Sequence, residues 1–218
     1  MKDNRVQHIT IQKINDAGVT ETADKVAVEE PLEIQLEYST QTGRMQKNIA
    51  VTMRTPGNDH ELAAGFLFTE GIIKNKAAIK EIKQSTADEN SVLIILQENI
   101  QPTLSNAARN FYSTSSCGIC GKASIESIRT ISQYTEQKDQ FIINAAVLYT
   151  LQAALKDHQK VFEDTGGIHA CALFDVAGNI ITLREDVGRH NALDKIVGAA
   201  LLNDELPLSN CVLLLSGR

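Results

Sequence analysis

The chain reads as a mixed α/β protein, an α+β N-terminal half followed by a three-layer α/β half. Three observations carry this reading. Residues 32–53 alternate apolar and polar side chains about a turn at Gly43; residues 144–215 give the order helix, strand, strand, helix, strand; and residues 212–215 are an uninterrupted apolar run. Period two marks a strand with one buried face, and a continuous apolar run marks a central strand covered on both.

In the first half, Leu32, Ile34, Leu36 and Tyr38 alternate with Glu33, Gln35 and Glu37, and Met45, Ile49, Val51 and Met53 continue the period beyond Gly43. The pair predicts a hairpin. Thr55-Pro56-Gly57-Asn58 follows, with Asn58 placed to cap a helix and Glu61 to complete a capping box. Leu62, Phe66 and Leu67 supply that helix's apolar stripe, and Gly71 ends it. A second, more polar helix is expected at 77–83 and a strand at 92–96.

In the second half, Asn144 caps an amphipathic helix carrying Val147, Leu148, Leu151 and Leu155. Strands at 168–175 and 179–183 join through a Gly178 turn, and Leu193, Ile196, Val197, Ala200 and Leu201 mark the next helix. The expected division is an α+β domain over 1–105, a connecting segment with a Cys-x-x-Cys loop over 106–135, and the α/β domain over 136–218. The chain stops at Ser216-Gly217-Arg218, directly after a strand that such layered domains normally cover with a further helix. The α/β domain is therefore expected to lack its C-terminal segment.

A net charge of −6 argues against a general nucleic-acid surface and favours a small ligand or a protein partner. No stretch approaches the ~20 apolar residues of a membrane span, and residues 1–5 do not lead into an apolar signal core. Four cysteines are too few for a disulfide scaffold, so reduced thiols and a cytoplasmic location are expected.

The richest chemistry lies in Ser115-Ser116-Cys117-Gly118-Ile119-Cys120-Gly121-Lys122. A thiolate is the nucleophile, and a neighbouring cysteine, Lys122 and the first amides of a short helix after it all lower a thiol pKa. Other readings stay open on the residues alone. A structural zinc site needs more ligands than Cys171, Cys211 and five scattered histidines readily supply, and a redox dithiol or an inert pair stays open behind the reactive thiol that the residues favour. Cys171 and Cys211 sit in or beside apolar strands and read as core.

Two polar clusters add to this. Thr165-Gly166-Gly167-Ile168-His169 precedes one strand, and Glu185-Asp186-Val187-Gly188-Arg189-His190-Asn191 links a strand to a helix. Both occupy positions where α/β domains place ligand loops. Arg189 and His190 stand beside helix N-terminal amides, a suitable place for phosphate or another anion. In the plainer reading Asp186 and Asn191 cap that helix and Arg189 pairs on the surface. His169 is suited either to ligand or thiol chemistry or to a backbone hydrogen bond.

Taken together, several motifs resemble, in order, those of the formate dehydrogenase accessory sulfurtransferase family. They are Arg54-Thr55-Pro56-Gly57 with Glu61-Leu62-Ala63 and Gly65-Phe66-Leu67; Thr69-Glu70-Gly71-Ile72-Ile73; Ser116-Cys117-Gly118-Ile119-Cys120-Gly121; Thr165 to His169; Glu185 to Lys195; and Leu215-Ser216-Gly217-Arg218. The resemblance implies a sulfur carrier that accepts a persulfide from a cysteine desulfurase and passes the sulfur to the molybdenum bis-molybdopterin guanine dinucleotide cofactor, for formate dehydrogenase. It implies Cys117 as the main persulfide site with Cys120 as relay or resolving thiol, and a homodimer. It also implies a C-terminal domain similar to the cytidine deaminase fold. Zinc deaminases need His-x-Glu and Pro-Cys-x-x-Cys, whereas here Ala192 follows His190 at the Glu position and Ser216-Gly217-Arg218 stands where Pro-Cys would begin. No metal and no deaminase activity are expected. The cofactor-binding positions implied are Gly166, Gly167, His169, Asp186, Gly188, Arg189, His190, Asn191, Ser216, Gly217 and Arg218. Members of the family usually extend several tens of residues past Ser-Gly-Arg.

Three classes follow from the cysteine pair, and metal analysis separates one of them. A sulfur carrier or a dithiol oxidoreductase is expected to purify without stoichiometric zinc and to keep its circular dichroism signal in chelator. A zinc-binding structural module would hold one zinc per chain and unfold when it is removed.

Overall fold

A computed structural model describes residues 4–16, 18–84, 89–104, 111–112, 134 and 142–217. Strands β1 (Val6–Asn15) and β2 (Gly18–Ala27) form a separate antiparallel hairpin. β3 (Glu30–Thr40), β4 (Gly43–Arg54), β5 (Ile79–Gln84), β6 (Ser91–Leu96) and β7 (Phe111–Tyr112) make a five-stranded sheet in the order β5-β6-β3-β4-β7. Helix α1 (Asp59–Thr69) covers one face of it, burying Leu62, Ala63 and Leu67 against Leu32, Ile34, Leu36, Val92 and Ile94. β7 pairs with β4 and so draws part of the expected connecting segment into this sheet.

The second half contains α2 (Ala145–His158), α3 (Lys160–Thr165), β8 (His169–Phe174), β9 (Ile180–Asp186), α4 (Arg189–Leu202) and β10 (Val212–Leu215). Its sheet has the order β10-β8-β9, antiparallel throughout. Alternation along β8 sends Ala170, Ala172 and Phe174 toward Leu151 and Leu155 of α2, and Cys171 and Leu173 toward Ala192 and Ile196 of α4. The sheet thus lies between two helix layers, as the element order predicts. Asn144 caps α2 as expected, its side chain accepting from the Ala146 amide at 2.9 Å.

Four expectations change. The 77–83 segment is one 3-10 turn (Lys76–Ala78) followed by β5, not a helix. A bulge at Lys80 lets Ile79 and Ile82 pack on the same core although they are three apart, which imitates helical spacing. In the hairpin, a second bulge at Ile49 turns Ile49 and Ala50 both inward and reverses the face of the residues beyond it. Met53 is consequently exposed and Arg54 is driven into the interior, whereas Met45, before the bulge and opposite Tyr38, is half-exposed near the end of the hairpin. Asn58 adopts a left-handed conformation, φ 58°, and its side chain caps nothing. Glu61 closes no capping box and instead binds Arg184 of β9 through two bonds of 2.6 and 2.7 Å. Finally, β10 is the edge strand of its sheet and β8 the central one, and Leu213 is half-exposed.

The two halves meet through α1 and α4, which press together at two glycines. A Cβ on Gly65 would lie 1.9 Å from the Asp194 carbonyl oxygen, and one on Gly198 would lie 1.8 Å from that of Glu61. The backbones therefore touch, with residue 61 facing 198 and residue 65 facing 194. Beside this contact, Thr69 Oγ1 donates to Asp194 Oδ1 at 2.9 Å. Burial raises the Asp194 carboxyl to about 7, the Thr69 hydroxyl opposes this, and the charges of Glu70 and Asp186 add to it.

Gly65→Ala or Gly198→Ala is expected to lower stability by at least about 3 kcal/mol in urea unfolding, because backbone cannot yield as a side chain does. The helix-propensity gain of alanine, about 1 kcal/mol, is too small to offset it. For Asp194 the folded carboxyl holds its proton longer than the unfolded one, so its contribution makes stability fall as pH rises from about 4 to about 7. Asp194→Asn keeps the acceptor for Thr69 and removes that fall; at pH 8 it is expected to gain at least about 1.4 kcal/mol over the parent chain.

Candidate functional site

The segment after β9 is where the halves are locked. Asp186 and Lys195 are both fully buried and pair at 2.7 Å. Lys195 also donates to the Thr55 carbonyl at 2.9 Å, and Asp186 Oδ2 accepts from the Thr55 amide at 3.2 Å. Asp186 Oδ1 accepts from the Gly188 amide at 2.8 Å and from Asn191 Nδ2 at 3.1 Å. Asn191 Nδ2 in turn donates to the Met53 carbonyl at 2.7 Å, and Asn191 Oδ1 accepts from Thr52 Oγ1 at 3.2 Å. Burial pushes the Asp186 carboxyl upward, opposed by the Lys195 charge and by the Gly188 and Asn191 donors. Arg54, turned inward by the β4 bulge, completes the junction from its other side through a bidentate pair with Asp59, both bonds 3.0 Å, and a bond to Asn90 at 2.8 Å.

The neighbouring carboxylate points the other way. Glu185 is buried and accepts from the Val161 and Phe162 amides at 3.1 and 3.0 Å, so it serves as the cap of α3 from a distant strand. α3 ends at Gly166, whose φ of 64° closes the helix in a left-handed conformation that glycine adopts without strain.

Between α2, α3 and the sheet lies a cleft of about 710 Å3, lined by Leu148, Gln152, Leu155, Lys156, Gln159 and Phe162 on the helix side. Gly166, Gly167, Ile168, His169 and Leu214 to Gly217 line the other. The volume falls within the usual range for ligand sites, ~300–1,000 Å3. Ser216 is fixed there as the ladder continues past β10: its amide donates to the Ala170 carbonyl at 2.8 Å, and its hydroxyl accepts from the Ala170 amide at 2.9 Å. His169 Nδ1 stands 3.3 Å from the same hydroxyl.

The positions singled out in the sequence therefore fall into three groups. Gly166, Gly167, His169, Ser216 and Gly217 come together in the cleft. Asp186, Gly188 and Asn191 belong to the junction. Arg189 and His190 occupy the first turn of α4 at the same end of the sheet, Arg189 exposed, and neither lines the cleft. Cys117, Cys120 and Arg218 lie outside the described residues. Cys171 is core as expected, fully buried with its thiol pushed up to about 12 by burial, hence unreactive. No three His, Cys, Asp or Glu side chains gather as a metal site among the described residues.

Sequence reasoning missed the roles of Lys195 and Arg54. The signal for Lys195 was present: a lone lysine among Ala192, Ile196 and Ala199 on the buried stripe of α4 requires a buried partner. Arg54 required knowledge of the bulge.

Comparison with known proteins agrees with the motifs. The model of the FdhD/NarQ family matches residues 27–218. A relative named "Sulfur carrier protein FdhD" from Mycolicibacterium paratuberculosis is 44% identical over 202 residues, covering 89% of this chain and 71% of its own. One of the same name from Streptomyces avermitilis is 41% identical over 214 residues, covering 94% and 73%. The crystal structure of "a putative formate dehydrogenase accessory protein" from Desulfotalea psychrophila shares the fold, with a TM-score of 0.70 at 24% identity over 98% of this chain and 76% of that one.

Lys195→Met, which strands Asp186 in the interior, is expected to cost about 3–5 kcal/mol in urea unfolding. Removing the exposed Lys25–Asp164 pair, 2.6 Å between β2 and α3, by Lys25→Ala should cost less than about 1 kcal/mol.

Proposed function

This chain belongs to the FdhD/NarQ family, and from that membership we propose that it is a sulfur carrier that takes persulfide sulfur from a cysteine desulfurase and delivers it to the molybdenum bis-molybdopterin guanine dinucleotide cofactor for formate dehydrogenase. The observation that carries the reading is the cleft. It collects Gly166, Gly167, His169, Ser216 and Gly217 from two separate motifs at one end of the sheet, beside the start of α4. The cofactor is the substrate here, and its nucleotide end is the part that such a cleft suits. Apolar walls from Leu155, Ile168 and Phe162 accept a flat ring, and the polar ends of the strands accept its hydrogen bonds. Arg189, with the first amides of α4, supplies a site for a phosphate at the same sheet end. Asp186, Gly188 and Asn191 act as positioning residues that hold the start of that helix in place.

The sulfur step rests on Cys117 and Cys120. The Cys117 thiolate attacks the terminal sulfur of the desulfurase persulfide; a new S–S bond forms on Cys117 and the desulfurase cysteine leaves as thiolate. For delivery, Cys120 attacks the Cys117 sulfur, the persulfide bond breaks and hydrosulfide departs, leaving a Cys117–Cys120 disulfide. The two electrons that reduce the sulfur come from the dithiol, and a cellular thiol must then restore it. The chain acts in this reading as a cytoplasmic homodimer.

Incubation with a cysteine desulfurase and cysteine, followed by peptide mass spectrometry, is expected to add one sulfur to the peptide holding Cys117 and Cys120. Cys117→Ala should abolish the adduct, whereas Cys120→Ala should retain it and slow its release. Absence of added sulfur from the reduced parent chain would reject the reading.

A further inference from the structure

The β1–β2 hairpin belongs in sequence to the first half and packs on the second. Its base is tied to the five-stranded sheet: the Val28 amide donates to the Arg5 carbonyl at 2.8 Å, and two residues separate β2 from β3, the middle strand of that sheet. Beyond this base, both strands rest on α3. The register sets Ile9 opposite Asp24 and Ile11 opposite Thr22, so these four share one face of the ribbon, and all four are half-buried. His8, Thr10 and Ala23 on the opposite face are exposed. The covered face is therefore the one against α3, and Lys25 adds its pair with Asp164 of that helix.

α3 needs such support. It has six residues, and helices shorter than about 12 residues are marginal in water. Among the described residues it is held by the Glu185 carboxylate at its first amides, by Val161 in the interior and by the hairpin on its outer side. A two-stranded hairpin is marginal by itself as well, so hairpin and helix stabilise each other. The inner side of α3 is a wall of the cleft, through Phe162 and the Gly166 that ends the helix.

We infer that the β1–β2 hairpin is a strap that presses α3 against the body and so sets how tightly the cleft holds its ligand. With the strap released, α3 leaves its place in part of the population. A ligand that needs the α3 wall then binds only the remainder, and its apparent dissociation constant rises by the inverse of that fraction. Because β2 runs on into β3, the strap also ties the cleft wall to the sheet of the other half. The inference rests on the proposed placement of a nucleotide end in this cleft, and it gives that placement a control lying outside the cleft.

Calorimetric titration with GDP as the probe tests it, on the full chain and on Ile11→Asp and Thr10→Asp, alongside thermal unfolding and amide hydrogen exchange without ligand. Ile11→Asp puts a charge on the face against α3 and detaches the strap, whereas Thr10→Asp adds the same charge one residue away on the exposed face. Ile11→Asp should weaken GDP binding at least about fivefold, Thr10→Asp by less than about twofold. In Ile11→Asp the Glu163 and Gly166 amides, which close α3 on the Gln159 and Phe162 carbonyls, should exchange faster, with the β8 amides unchanged and Tm within about 2 °C of the parent. Unchanged GDP affinity or unchanged α3 exchange in Ile11→Asp would overturn the inference and leave the nucleotide placement standing. So would an equal loss of affinity in Thr10→Asp, which marks a field effect, or a larger fall in Tm, which marks general support of the fold. Failure of the parent chain to bind GDP would overturn the placement itself, and the inference with it.

Discussion

The buried pair of Asp186 and Lys195 is the constraint on which the rest of the molecule depends. Two charges taken fully out of water gain little net stability from each other. Their value lies in what they dictate: each must find its remaining partners in one arrangement only. Lys195 finds the Thr55 carbonyl, and Asp186 finds the amides of Thr55 and Gly188 and the side chain of Asn191. The turn after β4, the end of β9 and the first turn of α4 are thereby fixed together. α4 is then set against α1 at backbone distance through Gly65 and Gly198, and the two sheets take up their relation through that helix pair.

Consecutive residues on a strand face opposite sides of a sheet, and β9 uses this at its last two positions. Asp186 faces α4 and fastens the halves. Glu185 faces α2 and α3, where it caps α3 and so fixes the wall that carries Phe162 and leads to Gly166 and Gly167. The junction and the cleft are therefore two sides of one strand end. Ser216 leaves β10 at the same end of the sheet, because β9 and β10 both run antiparallel to β8 and finish beside its first residues. The architecture places three separate motifs at one location with a single sheet end as the common support.

Much of this was legible in the sequence. The strand alternation of 32–38, the Asn144 cap, the order of elements after it and the burial of Cys171 all follow from local pattern, because each depends on neighbours in the chain. The failures share a cause. Bulges at Lys80 and Ile49 shift the apolar period by one residue, and the shift is decided by the partner strand. Glu61 was read as a local capping residue, but a guanidinium 123 positions away is the stronger partner. The apolar run 212–215 has the composition of a covered strand and occupies an edge. At the site, the described residues of three motifs stand at one sheet end, and their division between fastening and lining needed the distances.

The central claim is that the ligand side of this sheet end is the cleft bounded by α2 and α3, with the residues after β9 serving mainly as its anchor. An isotope-labelled amide NMR titration with GDP tests it most directly. The account expects the largest shifts at the amides of 166–169 and 216–217. Shifts confined to 187–191, with the cleft amides unmoved, would contradict it.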